Sequence, residues 1–175
     1  MKNQLILLFS LLISFNSYGL FKKTVCVETE TVRRGGLIYL PNKTKPFTGN
    51  DLCIVENGQI LKVGKIKRGK FVSQTFNFYY ENGKIKQELG YKDGREDGKS
   101  TWWYENGQKW KDENYKDGKL DGKATWWYEN GQIEAEGYAK DDKPHGKVTQ
   151  WDRNGKITSE STYKDGECIS GDCPK

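Results

Sequence analysis

The chain has 175 residues, of which only 34% are hydrophobic, with 20 glycines, 30% charged residues and a net charge of +5. So small an apolar fraction argues against a thick globular core, and positive charge spread without a basic block gives no ground for a nucleic-acid partner. A thin, repetitive architecture suits these numbers better.

The first element is an address. Lys2 gives a short positive start, Leu5 to Phe15 an apolar stretch, and Ser17-Tyr18-Gly19 a small-residue cleavage context. Residues 1–19 therefore read as a secretory signal peptide, with the mature chain beginning near Leu20. An uncleaved anchor is the alternative, but the stretch is shorter than the roughly 18 to 20 apolar residues of a spanning helix. Cys26 stands too far beyond Gly19 for a lipid-anchored lipoprotein. The expected product is soluble and exported, either periplasmic or secreted.

Residues 20–48 follow as a lead-in segment with an N-terminal cap strand. Four cysteines in an oxidising compartment read as two disulfides. Of the three possible pairings we favour Cys26 with Cys53 and Cys168 with Cys173, the second closing a short loop in the tail, residues 168–175. A zinc site is the rival reading, weakened by the lack of a histidine near that CxxxxC. No metal or cofactor is expected.

Between lead-in and tail, over residues 49–167, the sequence repeats. Asn-Gly recurs at Asn57, Asn82, Asn106, Asn130 and Asn154, in steps of 25, 24, 24 and 24 residues. A second turn signal follows each at Gly69, Gly94, Gly118, Asp142 and Gly166. Two turns per unit mean two strands per unit, and Asn-Gly or Asp-Gly between alternating segments is a strong hairpin signal. Runs such as Thr101-Trp102-Trp103-Tyr104 and Thr125-Trp126-Trp127-Tyr128 are strand formers. The expected fold is all-β: five tandem β-hairpin repeats forming an elongated antiparallel meander sheet of about ten strands.

Columns across the repeats suggest the register. Ile54, Tyr79, Trp103, Trp127 and Trp151 lie before the turns, and Ile60, Ile85, Lys109, Ile133 and Ile157 after them. They face each other if the loop has three residues, such as Glu105-Asn106-Gly107, closed by a glycine bulge. A two-residue loop would instead pair Tyr104 with Lys109. The three-residue loop is preferred because it makes one continuous apolar face, onto which strict alternation also brings Ile66, Tyr91, Tyr115 and Tyr163. Phe78, Tyr80, Trp102, Tyr104, Trp126 and Tyr128 then form an aromatic stripe on the second face, with Lys99 and Lys123 at its rim. Such a stripe either braces a thin sheet, at roughly 0.2 to 1 kcal/mol per cross-strand pair, or marks a binding site.

The phrases Tyr104-Glu105-Asn106-Gly107, Tyr115-Lys116-Asp117-Gly118 and Asp121-Gly122-Lys123, recurring in phase, resemble the MORN-repeat-variant family. Gly36-Leu37-Ile38-Tyr39-Leu40 followed by Pro46-Phe47-Thr48-Gly49 resembles the lead-in of its bacterial members. The resemblance covers about Gly36 to Gly166. It departs in the first unit, where Cys53-Ile54-Val55 replaces the aromatics, and in the last, where Gln150 and Asp152 flank Trp151. Degenerate end units are what caps look like. The resemblance implies an elongated sheet of stacked hairpins with roles in protein or membrane-lipid contact, and many bacterial members carry an antitoxin-like label.

Catalytic chemistry finds no constellation here. The single histidine, His145, takes the slot of Asp97 and Asp121 in other units and reads as a turn residue; Asp93, Asp97, Asp117 and Asp121 recur with the turns. No glycine-rich loop opens a helix. The expectation is a non-enzymatic scaffold that binds a protein partner. A membrane-surface lipid binder and an immunity or antitoxin-like protein against an exported toxin are the alternatives. Stacking of single-stranded nucleic acid on the aromatics sits badly with export.

Overall fold

The computed structural model describes residues 24–174, so the segment read as a signal peptide lies outside the described residues. The lead-in supplies β1 (Thr24–Val25), a single helical turn α1 (Val27–Glu30), β2 (Val32–Arg34) and β3 (Leu37–Tyr39). The hairpins follow. Unit 1 is β4 (Gly49–Ile54) and β5 (Ile60–Lys67), and unit 2 is β6 (Lys70–Tyr79) and β7 (Ile85–Lys92). Unit 3 is β8 (Arg95–Glu96), β9 (Gly98–Trp103) and β10 (Lys109–Lys116), and unit 4 is β11 (Lys119–Trp127) and β12 (Ile133–Lys140). Unit 5 is β13 (Lys143–Pro144), β14 (Gly146–Trp151) and β15 (Ile157–Lys164), and the tail adds β16 (Glu167–Gly171).

Fourteen of these strands make one sheet and β2–β3 a separate hairpin. The all-β meander is as expected; the strand number exceeds ten. The lead-in contributes three strands and the tail one, and the outgoing strands of units 3 and 5 are each broken in two. The breaks fall at Asp97 and His145, whose backbone N–H groups donate to the Gly90 and Tyr138 carbonyls at 3.0 and 2.8 Å. His145 is thus held by its main chain at a kink.

Each long turn is built alike. The Gly107 N–H donates to the Tyr104 carbonyl at 2.9 Å and the Tyr104 N–H to the Gln108 carbonyl at 2.8 Å, with Gly107 at φ 94°. This is the three-residue loop, and it sets Trp103 opposite Lys109, with Tyr79–Ile85 and Trp127–Ile133 equivalent. At the short turns both central residues are left-handed, as at Asp117 (φ 51°) and Gly118 (φ 87°), the geometry whose twist matches the strands it joins.

One step beyond the long turn the pairing slips. Trp103 faces Lys109, yet Trp102 faces Lys111, leaving Trp110 as an extra residue. The same bulge recurs in every unit. An inserted residue inverts the alternation of everything after it. Ile66, Tyr91, Tyr115 and Tyr163 therefore lie on the Trp102 face, not on the Trp103 face where strict alternation puts them. The Phe76 and Tyr91 rings meet edge to face at 5.5 Å, a contact that requires this.

The hydrophobic cluster is confined to one end. Val25, Val27, Ile38, Phe47 and Ile66 are buried together, with Leu40 and Phe71 against them, because the lead-in folds over the Trp102 face of unit 1. β1 lies parallel to β4, and the backbone N–H of Val27 donates to Asp51 Oδ1 at 2.9 Å. Lys62, also buried, pairs with Asp51 at 3.0 Å and with Glu28. A disulfide joins Cys26 to Cys53, and another joins Cys168 to Cys173.

Replacing Cys26 and Cys53 together by serine should release the lead-in. The loop they close spans 27 residues, so unfolding in urea should show a loss of about 3 to 4 kcal/mol. The Cys168→Ser, Cys173→Ser pair, closing a loop of 5, should lose about 2 kcal/mol.

Candidate binding face

The Trp102 face carries three rows. Nearest the long turns, Phe78, Trp102 and Trp126 stand opposite Gln87, Lys111 and Ala135. In the middle, Phe76, Ser100 and Ala124 stand opposite Leu89, Glu113 and Gly137. Tyr91, Tyr115, Ala139 and Tyr163 form the row nearest the short turns. Phe78 is 45% exposed, whereas Trp102 is only 8% exposed because Lys111 Nζ lies over its ring, 3.9 Å from the centroid. Trp126 is half-buried.

Tyr80, Tyr104 and Tyr128 belong to the same face, but their polar ends are committed. Each hydroxyl donates to a main-chain carbonyl one repeat onward: Tyr80 to Trp103 at 2.6 Å, Tyr104 to Trp127 at 2.7 Å, and Tyr128 to Trp151 at 2.8 Å. The turn asparagines work in parallel. Asn106 Oδ1 accepts from its own Gln108 N–H at 2.8 Å while its Nδ2 donates to the Glu129 carbonyl at 2.9 Å. Asn130 does the same with Gln132 and Arg153. The hydroxyls of these tyrosines are thus spent within the sheet.

Lys99 and Lys123 do not rim the stripe. Two residues along the strand from Thr101 and Thr125, they point to the Trp103 face. There Lys99 pairs with Asp112 and Lys123 with Glu136, each at 2.8 Å. Burial alone would push the Asp112 carboxyl up, but hydrogen bonds from Lys109, Lys99 and Thr101 hold it below the usual aspartate value. The cations on the stripe face are others. Lys111 is 5.5 Å from the Trp110 ring as well as over Trp102 and pairs with Glu113 at 2.9 Å. Lys86 lies 5.5 Å from the Tyr80 ring and Arg153 5.1 Å from that of Tyr128. Trp110, the bulged residue, is 42% exposed and packs at 6.3 Å from Tyr104. Tyr115 donates to Glu113 at 2.8 Å; burial and that carboxylate raise its phenol well above the usual range.

Two hollows flank Trp126. One of about 340 Å³ is lined by Tyr128, Glu134, Ala135 and Gln150. The other, about 290 Å³ and largely apolar, is lined by Leu120, Ala124, Ala139, Pro144, Val148 and Tyr163. Elsewhere, Cys26, Glu28, Asp51 and Cys53 bring potential metal ligands within 4.8 Å of one another. Both sulfurs are oxidised and Lys62 already pairs with both carboxylates, which makes this cluster an ion-paired clasp.

With this geometry in view, comparison with known families identifies the MORN repeat variant at residues 75–93, 96–117, 120–141 and 144–165. Four tandem repeats of that kind thus run through units 2 to 5, and unit 1, covered by the lead-in, lies outside them. Comparison with curated proteins gave no match.

Removing the hydroxyl in Tyr104→Phe leaves the ring in place and should cost about 1 kcal/mol in urea unfolding, with an unchanged circular dichroism spectrum. The depressed Asp112 carboxyl contributes stability that is fully present above the unfolded aspartate value of about 3.9 and is lost as pH falls through it toward the lower folded value. Melting temperature followed against pH should show an acid limb below about pH 4, shallower in Asp112→Asn.

Proposed function

We propose, from four tandem MORN-variant repeats laid into one open sheet, that this protein is an exported, non-enzymatic scaffold that binds a protein partner through the Trp102 face. The observation that carries the reading is a contrast along that face. Over unit 1 it is covered by the lead-in, and over units 2 to 5 Phe78, Trp110, Trp126 and the tyrosine rings stand without a covering layer among the described residues. Large aromatics bury much area at low entropic cost and are favoured anchors at interfaces. Lys86, Lys111 and Arg153 supply charge beside them. Two disulfides support an oxidising compartment. An exported toxin neutralised by this face is one form of such a partner.

The second reading is a membrane surface. Its support is the pairing of cations with aromatic rings on one face, since Trp and Tyr suit the bilayer interface and Lys and Arg suit anionic head groups.

Affinity capture from envelope and secreted fractions, with the chain from Leu20 as bait, separates the two. The control bait is Phe78→Ser, Trp126→Ser, chosen because Trp102 is buried and its loss would disturb the sheet. A stoichiometric protein held by the wild type and lost by the variant is expected. Empty baits together with salt-resistant sedimentation on anionic vesicles would hand the face to lipid.

A further inference from the structure

The lead-in is a worked example, within this chain, of how the Trp102 face accepts a polypeptide segment. It lays Val27, Ile38 and Phe47 against Ile66, and it brings Glu28 to Lys62, which already holds the sheet's own Asp51. Carried along the repeats, the Lys62 position becomes Gln87, Lys111, Ala135 and Ser159. Unit 3 alone keeps the cation. Lys111 has one carboxylate, Glu113, where Lys62 has two.

The next unit is emptied at the same positions. Lys111, Glu113 and Tyr115 fill the incoming strand of unit 3; Ala135, Gly137 and Ala139 stand there in unit 4. Gly137 and Ala139, small where unit 3 has Glu113 and Tyr115, line the apolar hollow of about 290 Å³ beside Trp126, and Ala135 lines the neighbouring hollow. A cation that holds one carboxylate where Lys62 holds two, and a hollow short of a side chain, therefore sit on neighbouring repeats of one face.

We propose that these two features form a docking site for an acidic, amphipathic segment of the partner protein, with a bulky apolar side chain in the unit 4 hollow and a carboxylate on Lys111. The segment is seated as the lead-in is seated on unit 1. This rests on the protein-binding reading of the face and names where on it, and by what chemistry, recognition occurs. The charge of Lys111 sets the acidic requirement, and a hollow lined by Leu120, Ala124, Val148 and Tyr163 sets the apolar one.

The test uses a display library of short random peptides panned on the chain from Leu20, followed by titration of the enriched peptides. Lys111→Gln removes the cation. Ala135→Lys with Ala139→Tyr refills unit 4 with side chains that unit 3 already carries; Gly137 is left alone, because a Cβ there would come 2.9 Å from Val148 Cγ2. Ala139→Tyr alone is the milder version should the double variant melt early. Enriched peptides should combine an acidic and a bulky apolar residue, and each variant should weaken them by about tenfold or more. Peptides that ignore these variants but are lost on Phe78→Ser, Trp126→Ser would overturn this site and leave the face as the binding surface. Peptides indifferent to all of them would remove both. A library that yields none, with anionic vesicles bound instead, would also overturn it.

Discussion

The hydroxyl of one tyrosine in each of units 2 to 4, reaching the main chain of the next repeat, is the contact on which this molecule depends. A single sheet has no interior between layers, so each hairpin must be fixed by its neighbours. Tyr80, Tyr104 and Tyr128 tie the strand ends together. At the tips, asparagine completes its own turn with the oxygen and binds the next turn with the nitrogen. Stability in such an array is close to a sum of hairpin and nearest-neighbour terms. Among the described residues, only the lead-in end adds a conventional apolar cluster.

The same constraint explains the middle of the sheet. Ser100, Thr101, Ala124, Thr125, Thr149 and Ser161 are buried although no second layer among the described residues covers them. On the Trp103 face lysine–carboxylate pairs flank the threonines: Lys99–Asp112 beside Thr101, Lys123–Glu136 beside Thr125 and Lys147–Glu160 beside Thr149. Exposed pairs of that kind contribute little individually. Their long stems matter as cover, which is how a chain so poor in hydrophobic residues still shields its strands.

Much of this was legible beforehand because turns announce themselves. Asn-Gly and Asp-Gly fixed the period and the hairpin order, the apolar columns on either side of the turn favoured the three-residue loop, and Phe78, Trp102 and Trp126 do share a face. What stayed hidden was the bulge at Trp110 and its equivalents. It changes no residue type and leaves no spacing mark, since it recurs in every unit. Counting by twos therefore put Tyr91, Tyr115 and Tyr163 on the wrong side. The role of Lys111 was hidden with it, because its partner ring, Trp102, comes opposite only after the slip. Lys99 and Lys123 drew attention by standing near the aromatics in sequence, although strand alternation turns them away. Only the structure shows the tyrosine hydroxyls spent on the neighbouring repeat.

Two strands per unit at the ordinary spacing give a step of about 9.6 Å from one repeat to the next. A surface that reiterates itself at a fixed step offers a visitor several equivalent frames, and sliding between them would blur any message carried by position. The incoming strands break that equivalence, since Lys62 gives way in turn to Gln87, Lys111, Ala135 and Ser159, and the step from Lys111, Glu113 and Tyr115 to Ala135, Gly137 and Ala139 empties a whole column. Each such change is a graduation by which a visitor could tell one frame from the next.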